Sequence, residues 1–404
     1  RVYGGYVMPS LTPKLASEIA NIPYGVYQGQ GRLAFMGQDG FEKHFVFSQQ
    51  DVFSGRTGGI TGLDRIPLFR KVIPGVMRTS EAFAVIGVGK GKYKGDLVIS
   101  IRGTQNANDW VTNLNVGLKG APNGSIAHSG FINSFSSIKP SIKQYLQQCQ
   151  RLPRRVHCVG HSLGGALASL CSDWLREEYS LRVNLYTFGA PRVGLEQYSR
   201  KSSKSNDKVY RCTHGADPVP KVPVWPFIHA PHNGDEYRLD ASTGFNISAH
   251  SMSSETNLGY LDNANSETWG AIKVRSNKYL YTPTRFKFEH RNQASFTEYW
   301  SERIQSALIT LLKDAGLFSA IAVQATVSTG MTFYDILARN IEKVAKASKV
   351  RESQVKGLLG HMLVFIGKPV TAIEDMSAKF IRNVFLMVFG KLYRAAQMAI
   401  SAVK

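Results

Sequence analysis

The sequence predicts an α/β fold built on a mainly parallel sheet. From residue 81 onward, short apolar runs rich in β-branched residues alternate with helical segments and short loops. Neighbouring parallel strands need crossover connections, usually helices, and this alternation is typical of them. The 404 residues are 43% hydrophobic and 19% charged, which indicates a globular chain long enough for two or three domains.

The first predicted element is a short helix near the N-terminus. Thr12-Pro13 opens it, and Leu15, Ile19 and Ile22 share one face. Residues 50–64 contain several glycines but lack the Gly-Lys-Ser/Thr of a phosphate-binding loop, so we expect a mobile loop there.

The central part of the chain supplies the predicted sheet and its helices. The predicted strands are 83–88, 97–101, 156–159, 183–188 and 209–213. Helical patterns cover 131–147 and 167–174 between them. Of these, 156–159 reads as a short buried-type strand.

After about residue 295 nearly all signals are helical. We therefore expect three parts: an N-terminal helical and loop segment, 1–80, packed on an α/β core, 81–295, and a helical C-terminal region, 296–404. Thr332-x-x-Asp335 resembles a capping box that would start one of these helices.

The uncharged stretch 315–334 is long enough for a membrane span. Its threonines, serines and Gly330 make it too polar for one, so a helical region packed on the core is the main expectation. Because lysines lie on other faces of the apolar helices, association with a membrane surface stays open as an alternative.

The chain is strongly basic, with a formal net charge of +20. Such a balance favours anionic partners. Because no known nucleic-acid module is present, we expect an anionic membrane surface as partner and no nucleic acid.

Four cysteines without CxxC spacing predict neither a disulfide framework nor a zinc site. The N-terminal residues 1–6 lack the basic-then-apolar pattern of a signal peptide, although the absence of an initial Met leaves trimming open. The localisation stays open: the sequence fits a cytoplasmic protein with peripheral membrane contact, and secretion by a signal-independent route is an alternative. We expect neither a metal nor a cofactor.

One segment carries the strongest chemical signal. Residues 156–167 read as a strand, then Gly160-His161-Ser162-Leu163-Gly164, then a helix. This is the context of a nucleophile elbow, in which a tight turn presents the serine at the strand tip. The helix N-terminus behind it stabilises developing negative charge. Ser162 is therefore the predicted nucleophile.

The elbow resembles that of class 3 lipases, the fungal-lipase-like α/β-hydrolases. Further segments are similar to that family's motifs and follow in its order: Arg102-Gly103-Thr104, Asp109-Trp110, His128-Ser129-Gly130-Phe131, Thr187-Phe188-Gly189-Ala190-Pro191-Arg192 and Asp217-Pro218-Val219-Pro220. The resemblance covers roughly residues 80–260 and identifies the family without identifying a substrate.

In this fold the acid and then the base follow the serine along the chain. Asp217 is the predicted acid, with Asp207 as a reserve. His250 is the predicted base, because Ser248–Met252 resembles the family's His-Ser-Met segment. His229 and His232 stay as alternatives, whereas His290 lies in a charged run typical of a surface.

The resemblance also implies an oxyanion hole and a lid. The backbone amide of Leu163 would supply one donor, and Thr104 would supply the other. Residues 105–118 would occupy the position of the family's lid, and their apolar side chains suit opening at a lipid surface.

The predicted function is that of a serine lipase or phospholipase, a carboxylic ester hydrolase acting on membrane glycerophospholipids through an acyl-enzyme. Alternatives are a triacylglycerol lipase, a scaffold on a lipase fold, and a membrane-perturbing protein whose tail is the active part. At the level of family analogy, the features also resemble bacterial lipase effectors, which would imply an immunity or delivery protein as partner.

Overall fold

The computed structural model describes residues 9–28, 40–55, 82–102, 117–232, 234–253, 258–264, 268–276, 282–327 and 330–403. Within these ranges a seven-stranded sheet forms the centre of the molecule. A separate two-stranded ribbon, β4 (Leu118–Gly120) with β5 (Ile126–His128), lies outside it.

The central sheet joins its strands in chain order. They are β1 (Phe45–Gly55), β2 (Ala82–Gly89), β3 (Asp96–Arg102), β6 (Arg155–His161), β7 (Val183–Phe188), β8 (Lys208–Thr213) and β9 (Tyr237–Arg238). The first three pair antiparallel, and every pairing from β3 to β9 is parallel. The carboxyl ends of the parallel strands therefore meet at one edge.

Helices connect and cover these strands. In chain order they are α1 (Pro13–Gln28), α2 (Ser129–Gln148), α3 (Leu163–Tyr179), α4 (Glu196–Ser205), α5 (Tyr260–Asn263), α6 (Trp269–Arg275), α7 (Glu298–Asp314), α8 (Phe318–Val327), α9 (Gly330–Ala347), α10 (Lys349–Phe365) and α11 (Ala378–Ala402). Of these, α2, α3 and α4 follow β5, β6 and β7 and carry the chain to the next parallel strand.

The sheet buries both faces, and alternate residues of each strand serve different cores. In β3, Ile99 and Ile101 join a core with α2, α3 and the C-terminal helices. Val98 lies between Leu97 and Ile99, two residues of that first core, and joins a second core under α1. This period of two is the side-chain geometry of a strand, and it explains why β3 is buried along its whole length.

The α/β class with a mainly parallel sheet and a helical C-terminal region is confirmed. Two local expectations are wrong. Strand β1 extends to Gly55, so the first part of the segment 50–64 is a strand and not a loop; 56–64 lie outside the described residues. Helix α9 already begins at Gly330, so Thr332 lies inside it and does not cap it.

The C-terminal helices share the core of the sheet. Buried side chains from α7, α9, α10 and α11 belong to the same apolar cluster as α2 and α3. The three-part division at 80 and 295 stays a prediction.

Among the described residues, no single helix is long and apolar enough to cross a membrane. The bent pair Glu298–Asp314 and Phe318–Thr326, with 112° between them, reaches the required length and hydropathy only together.

Candidate active site

The predicted elbow forms as a sharp turn between β6 and α3. Ser162 occupies a backbone conformation rarely adopted by residues other than glycine, with φ 57° and ψ −133°. A side chain at Gly160 would come within 2.2 Å of the carbonyl oxygen of Gly164, so only glycine fits where strand and helix cross. The turn places Ser162 at the carboxyl edge of the sheet.

Ser162, His250 and Asp217 meet in a hydrogen-bonded chain. The Ser162 hydroxyl lies 2.8 Å from His250 Nε2, and His250 Nδ1 lies 2.8 Å from Asp217 Oδ2. All three are buried. The distances are those expected of a nucleophile, a base and an orienting carboxylate.

Tyr260, at the start of α5, is a further partner of the carboxylate. Its hydroxyl donates to Asp217 Oδ2 at 2.6 Å and accepts from the backbone N–H of His214 at 3.0 Å. The backbone N–H of Val219 donates to the other oxygen, Oδ1, at 2.8 Å. Each oxygen of this buried carboxylate is therefore bound by at least one donor.

These contacts decide the protonation state of Asp217. Burial alone would raise its pKa, but the charge of His250 and the hydrogen bonds from His250, Tyr260 and Val219 outweigh burial, so the pKa is lowered from its ordinary value. The carboxylate thus stays ionised and can stabilise an imidazolium at His250.

A second histidine, His161, holds the backbone of the base. Its Nε2 lies 2.7 Å from the carbonyl oxygen of His250, so Nε2 carries the proton and donates. Nδ1 then accepts from the hydroxyl of Tyr24 at 2.6 Å. Burial, reinforced by the charge of His250, moves the pKa of His161 well below its usual range, so the ring stays neutral beside the base.

A third histidine, His214, binds the backbone carbonyl of Ala249, the residue before His250. Its Nδ1 donates to the carbonyl oxygen of Ala249 at 2.7 Å, and its ring stacks parallel on Tyr260 with centroids 3.9 Å apart. Burial lowers the pKa of His214. Two neutral imidazoles therefore fix consecutive peptide carbonyls of the turn Ile247–His250.

Of the two predicted oxyanion donors, one lies within the described residues. Leu163 begins α3, where the first amides have no carbonyl partner inside their own helix. Thr104 and the lid prediction up to residue 116 fall outside the described residues.

The alternative candidates lie elsewhere. Asp207 pairs with Arg155 at 3.7 Å and Arg176 at 3.6 Å, away from the serine. His229 Nε2 donates to the carbonyl oxygen of Pro220 at 2.7 Å, and His232 faces Glu196 at 3.4 Å. His290 lies in the turn Phe288–Gln293. The structure brings none of these side chains to Ser162.

No group of three or more His, Cys, Asp or Glu side chains in the described part of the chain is arranged to hold a metal ion. The side chains that meet at this site supply a hydroxyl, an imidazole and an ionised carboxylate.

Sequence reasoning missed Tyr260, His214 and Tyr24. Tyr260 lies 43 residues from Asp217 and in no motif, so no spacing signal pointed to it. His161 stood in the elbow motif, but its hydrogen bond to the loop of His250 depends on tertiary packing.

The part of the chain that is similar to known proteins includes Ser162 and Asp217. Residues 98–227 match the family described as Lipase (class 3). A secreted mono- and diacylglycerol lipase of Fusarium solani is 35% identical over 149 residues, covering 36% of this chain and 44% of the relative. A chloroplastic phospholipase A(1) of Arabidopsis thaliana is 31% identical over 150 residues, covering 32% and 34%.

Among solved structures, the mono- and diacylglycerol lipase from Aspergillus oryzae aligns with 27% identity and a TM-score of 0.36, over 41% of this chain and 62% of that one. The chain spans less than half the length of the two curated relatives described above. Over residues 98–227 the chain is therefore similar to the class 3 lipases.

Proposed function

We propose that the protein is a serine ester hydrolase that cleaves acyl ester bonds of lipids, with membrane glycerophospholipids as substrate. The observation that carries this proposal is the chain of two 2.8 Å contacts from Ser162 through His250 to Asp217. The match of residues 98–227 to the family described as Lipase (class 3) supports lipid esters as the substrate class.

The steps follow from the geometry. His250 Nε2 takes the proton of Ser162 as the oxygen attacks the ester carbonyl, and Asp217 stabilises the resulting imidazolium. The oxyanion forms near the amide of Leu163 at the N-terminus of α3. His250 then protonates the leaving alcohol, which leaves an acyl group on Ser162.

Water completes the cycle. His250 takes a proton from the water molecule as it attacks the acyl-enzyme, and the fatty acid leaves when Ser162 recovers its proton. Neutral His161, whose ring centroid lies 4.7 Å from that of His250, adds no positive charge beside the imidazolium.

The nucleophile is tested by Ser162→Ala. We expect a loss of at least ~10³-fold in kcat on a short p-nitrophenyl ester, because the acyl-enzyme cannot form. Circular dichroism should show a folded protein, and stoichiometric labelling by a fluorophosphonate should disappear. A variant that keeps a tenth of the rate would show that another nucleophile is at work.

The preference for phospholipid rests on the net charge of +20. One observation favours a second candidate, hydrolysis of neutral glycerides: the Fusarium solani relative is named a mono- and diacylglycerol lipase. Mass spectrometry of products from a mixture of phospholipids and acylglycerols, with Ser162→Ala as control, separates the two. Fatty acid released from acylglycerols alone would reject the phospholipid proposal.

A further inference from the structure

Lys221 is a buried lysine, 4% exposed, at the end of the turn Val219–Lys221 that follows Asp217. Its ammonium contacts two carboxylates of helix α7, Glu302 Oε1 at 2.8 Å and Glu298 Oε1 at 3.2 Å. Both glutamates are buried as well. Because a buried charge is costly unless it is paired, this cluster fixes its members firmly in place.

The pKa values reflect that pairing. Burial alone would raise the pKa of Glu302, but the charges of Lys221 and Arg192 lower it to about 2. Burial alone would lower the pKa of Lys221, and the charges of Glu302 and Glu298 raise it instead. Lys221 and Glu302 are therefore both charged near neutral pH.

Arg192 ties the same glutamate to the backbone of the loop. Its guanidinium donates to the carbonyl oxygens of Lys221 and Pro223, the latter at 3.0 Å. It also lies 3.6 Å from Glu302. Glu302 thus holds this loop in two ways. It binds the side chain of Lys221 directly, and through Arg192 it is linked to the backbone carbonyl oxygens of the loop.

This loop determines where Asp217 points. The N–H of Val219, in the first residue of the turn, donates to Asp217 Oδ1 at 2.8 Å. A shift of the turn would carry that donor with it and move Oδ2 relative to His250. The acid of the candidate triad is therefore placed by a turn whose far end is bound to α7.

The loop of the base rests on the same C-terminal region. Phe245 lies two residues before the turn Ile247–His250 and meets Phe296 edge-on, with ring centroids 4.9 Å apart. Its backbone N–H donates to the carbonyl oxygen of Phe296 at 3.4 Å. Helix α11 contacts both this turn and Val219–Lys221.

We propose that the C-terminal helices are a positioning element of the active site, and that Lys221 and Glu302 are its positioning residues. The helices hold the acid loop and the base loop at the distance that the proposed reaction requires. This inference rests on the proposed function, because it assigns the network a role in that same reaction.

The test compares Glu302→Gln with Glu342→Gln, a matched removal of one carboxylate from an exposed pair with Lys346 on α9. A short soluble ester is used, so that binding to lipid does not enter. We expect kcat to fall at least tenfold for Glu302→Gln, with KM changed less than threefold, since misplacement by about 1 Å can cost about 10²-fold. The rate of fluorophosphonate labelling should fall in parallel, and Glu342→Gln should match the wild type.

Glu302→Asp keeps the buried negative charge but places the carboxylate one methylene farther from Lys221 and Arg192. This variant replaces Glu302→Gln in the test if Glu302→Gln does not fold. It should lower kcat several-fold with a circular dichroism spectrum like that of the wild type. A folded Glu302 variant with wild-type kcat and labelling rate would overturn the positioning role. A wild-type protein that does not react with the fluorophosphonate would instead overturn the proposed function.

Discussion

Gly189 lies against the candidate acid and base, where no side chain fits. Its φ is +57°, and a Cβ there would stand 2.8 Å from Asp217 Oδ2 and 3.0 Å from His250 Nδ1. These are the two atoms whose contact orients the imidazole. Glycine at this position therefore gives the acid and the base room to meet.

Gly189→Ala should lower kcat on a short ester by about 10²-fold, because the methyl group pushes the acid and the base apart. Gly91→Ala is the matched control: Gly91 has the same φ of +57° but nothing within 4 Å of the added methyl group. Steady-state kinetics on both variants distinguish a steric clash of the methyl group with the acid and the base from the backbone strain that both substitutions share. Similar losses in the two would refute the steric argument.

The residues of the candidate site were predictable to different degrees. Ser162 and Asp217 each follow a strand and stand in a motif, so local sequence was enough to select them. His250 needed the resemblance to a family, since several histidines follow Asp217. Tyr260 and His214 gave no signal, because their hydrogen bonds depend on how distant loops pack.

At the level of elements, predictions succeeded where periodicity was regular. The strands β3, β6 and β7 each contain a short apolar run, and each was predicted within a few residues of its ends. Strand β1 was missed because its pairing with β2 shifts register between Phe47 and Val52. Such an irregularity interrupts the alternation that identifies a strand.

Helix starts were harder to predict than helix faces. Ile304, Leu308 and Leu312 share the buried face of α7 as their spacing indicates. The start of α9 was misplaced because Thr332 and Asp335 have the right spacing for a cap but lie within the helix. A motif of two residues at a fixed spacing also occurs by chance inside helices.

At the scale of the whole molecule, buried histidines make stability depend on pH. Burial lowers the pKa of His128 to about 4, and it also lowers the pKa values of His157, His161, His214 and His229. An unfolded chain would protonate these rings near pH 6.5. Below that pH the unfolded state binds more protons than the folded state, so stability falls as the pH falls.

We therefore expect the free energy of unfolding to decline between pH 6.5 and 4.5, before the loss of the carboxylate pairs at lower pH. For His128, the shift from 6.5 to about 4 corresponds to roughly 3 kcal/mol once the pH has fallen through it. Urea unfolding at several pH values measures the decline, and His128→Asn should reduce its slope. A free energy that is flat from pH 7.5 to 4.5 would contradict this account.

The net charge of +20 also acts through the molecule as a whole. Each basic residue near an anionic bilayer contributes about 1 kcal/mol of attraction. We expect faster hydrolysis of vesicles containing phosphatidylglycerol than of pure phosphatidylcholine. The advantage should shrink as the Debye length falls from about 10 Å at 0.1 M salt to about 3 Å at 1 M.

Initial rates on the two kinds of vesicle and on a triacylglycerol emulsion, each at two salt concentrations, measure this effect. Equal rates on both vesicles, unchanged by salt, would reject attraction by charge while leaving the candidate triad untouched. Faster hydrolysis of the emulsion at either salt concentration would point to neutral glycerides.

The backbone of Ser162 has a consequence for how this chain can change over evolution. A conformation with φ 57° and ψ −133° costs a non-glycine residue on the order of 1–3 kcal/mol. Glycine would relieve that strain and remove the nucleophile in the same step. Selection for thermal stability alone would therefore favour replacement of Ser162 by glycine. Without selection for catalysis, homologues of this chain would be expected to gain stability and lose activity while keeping the same fold.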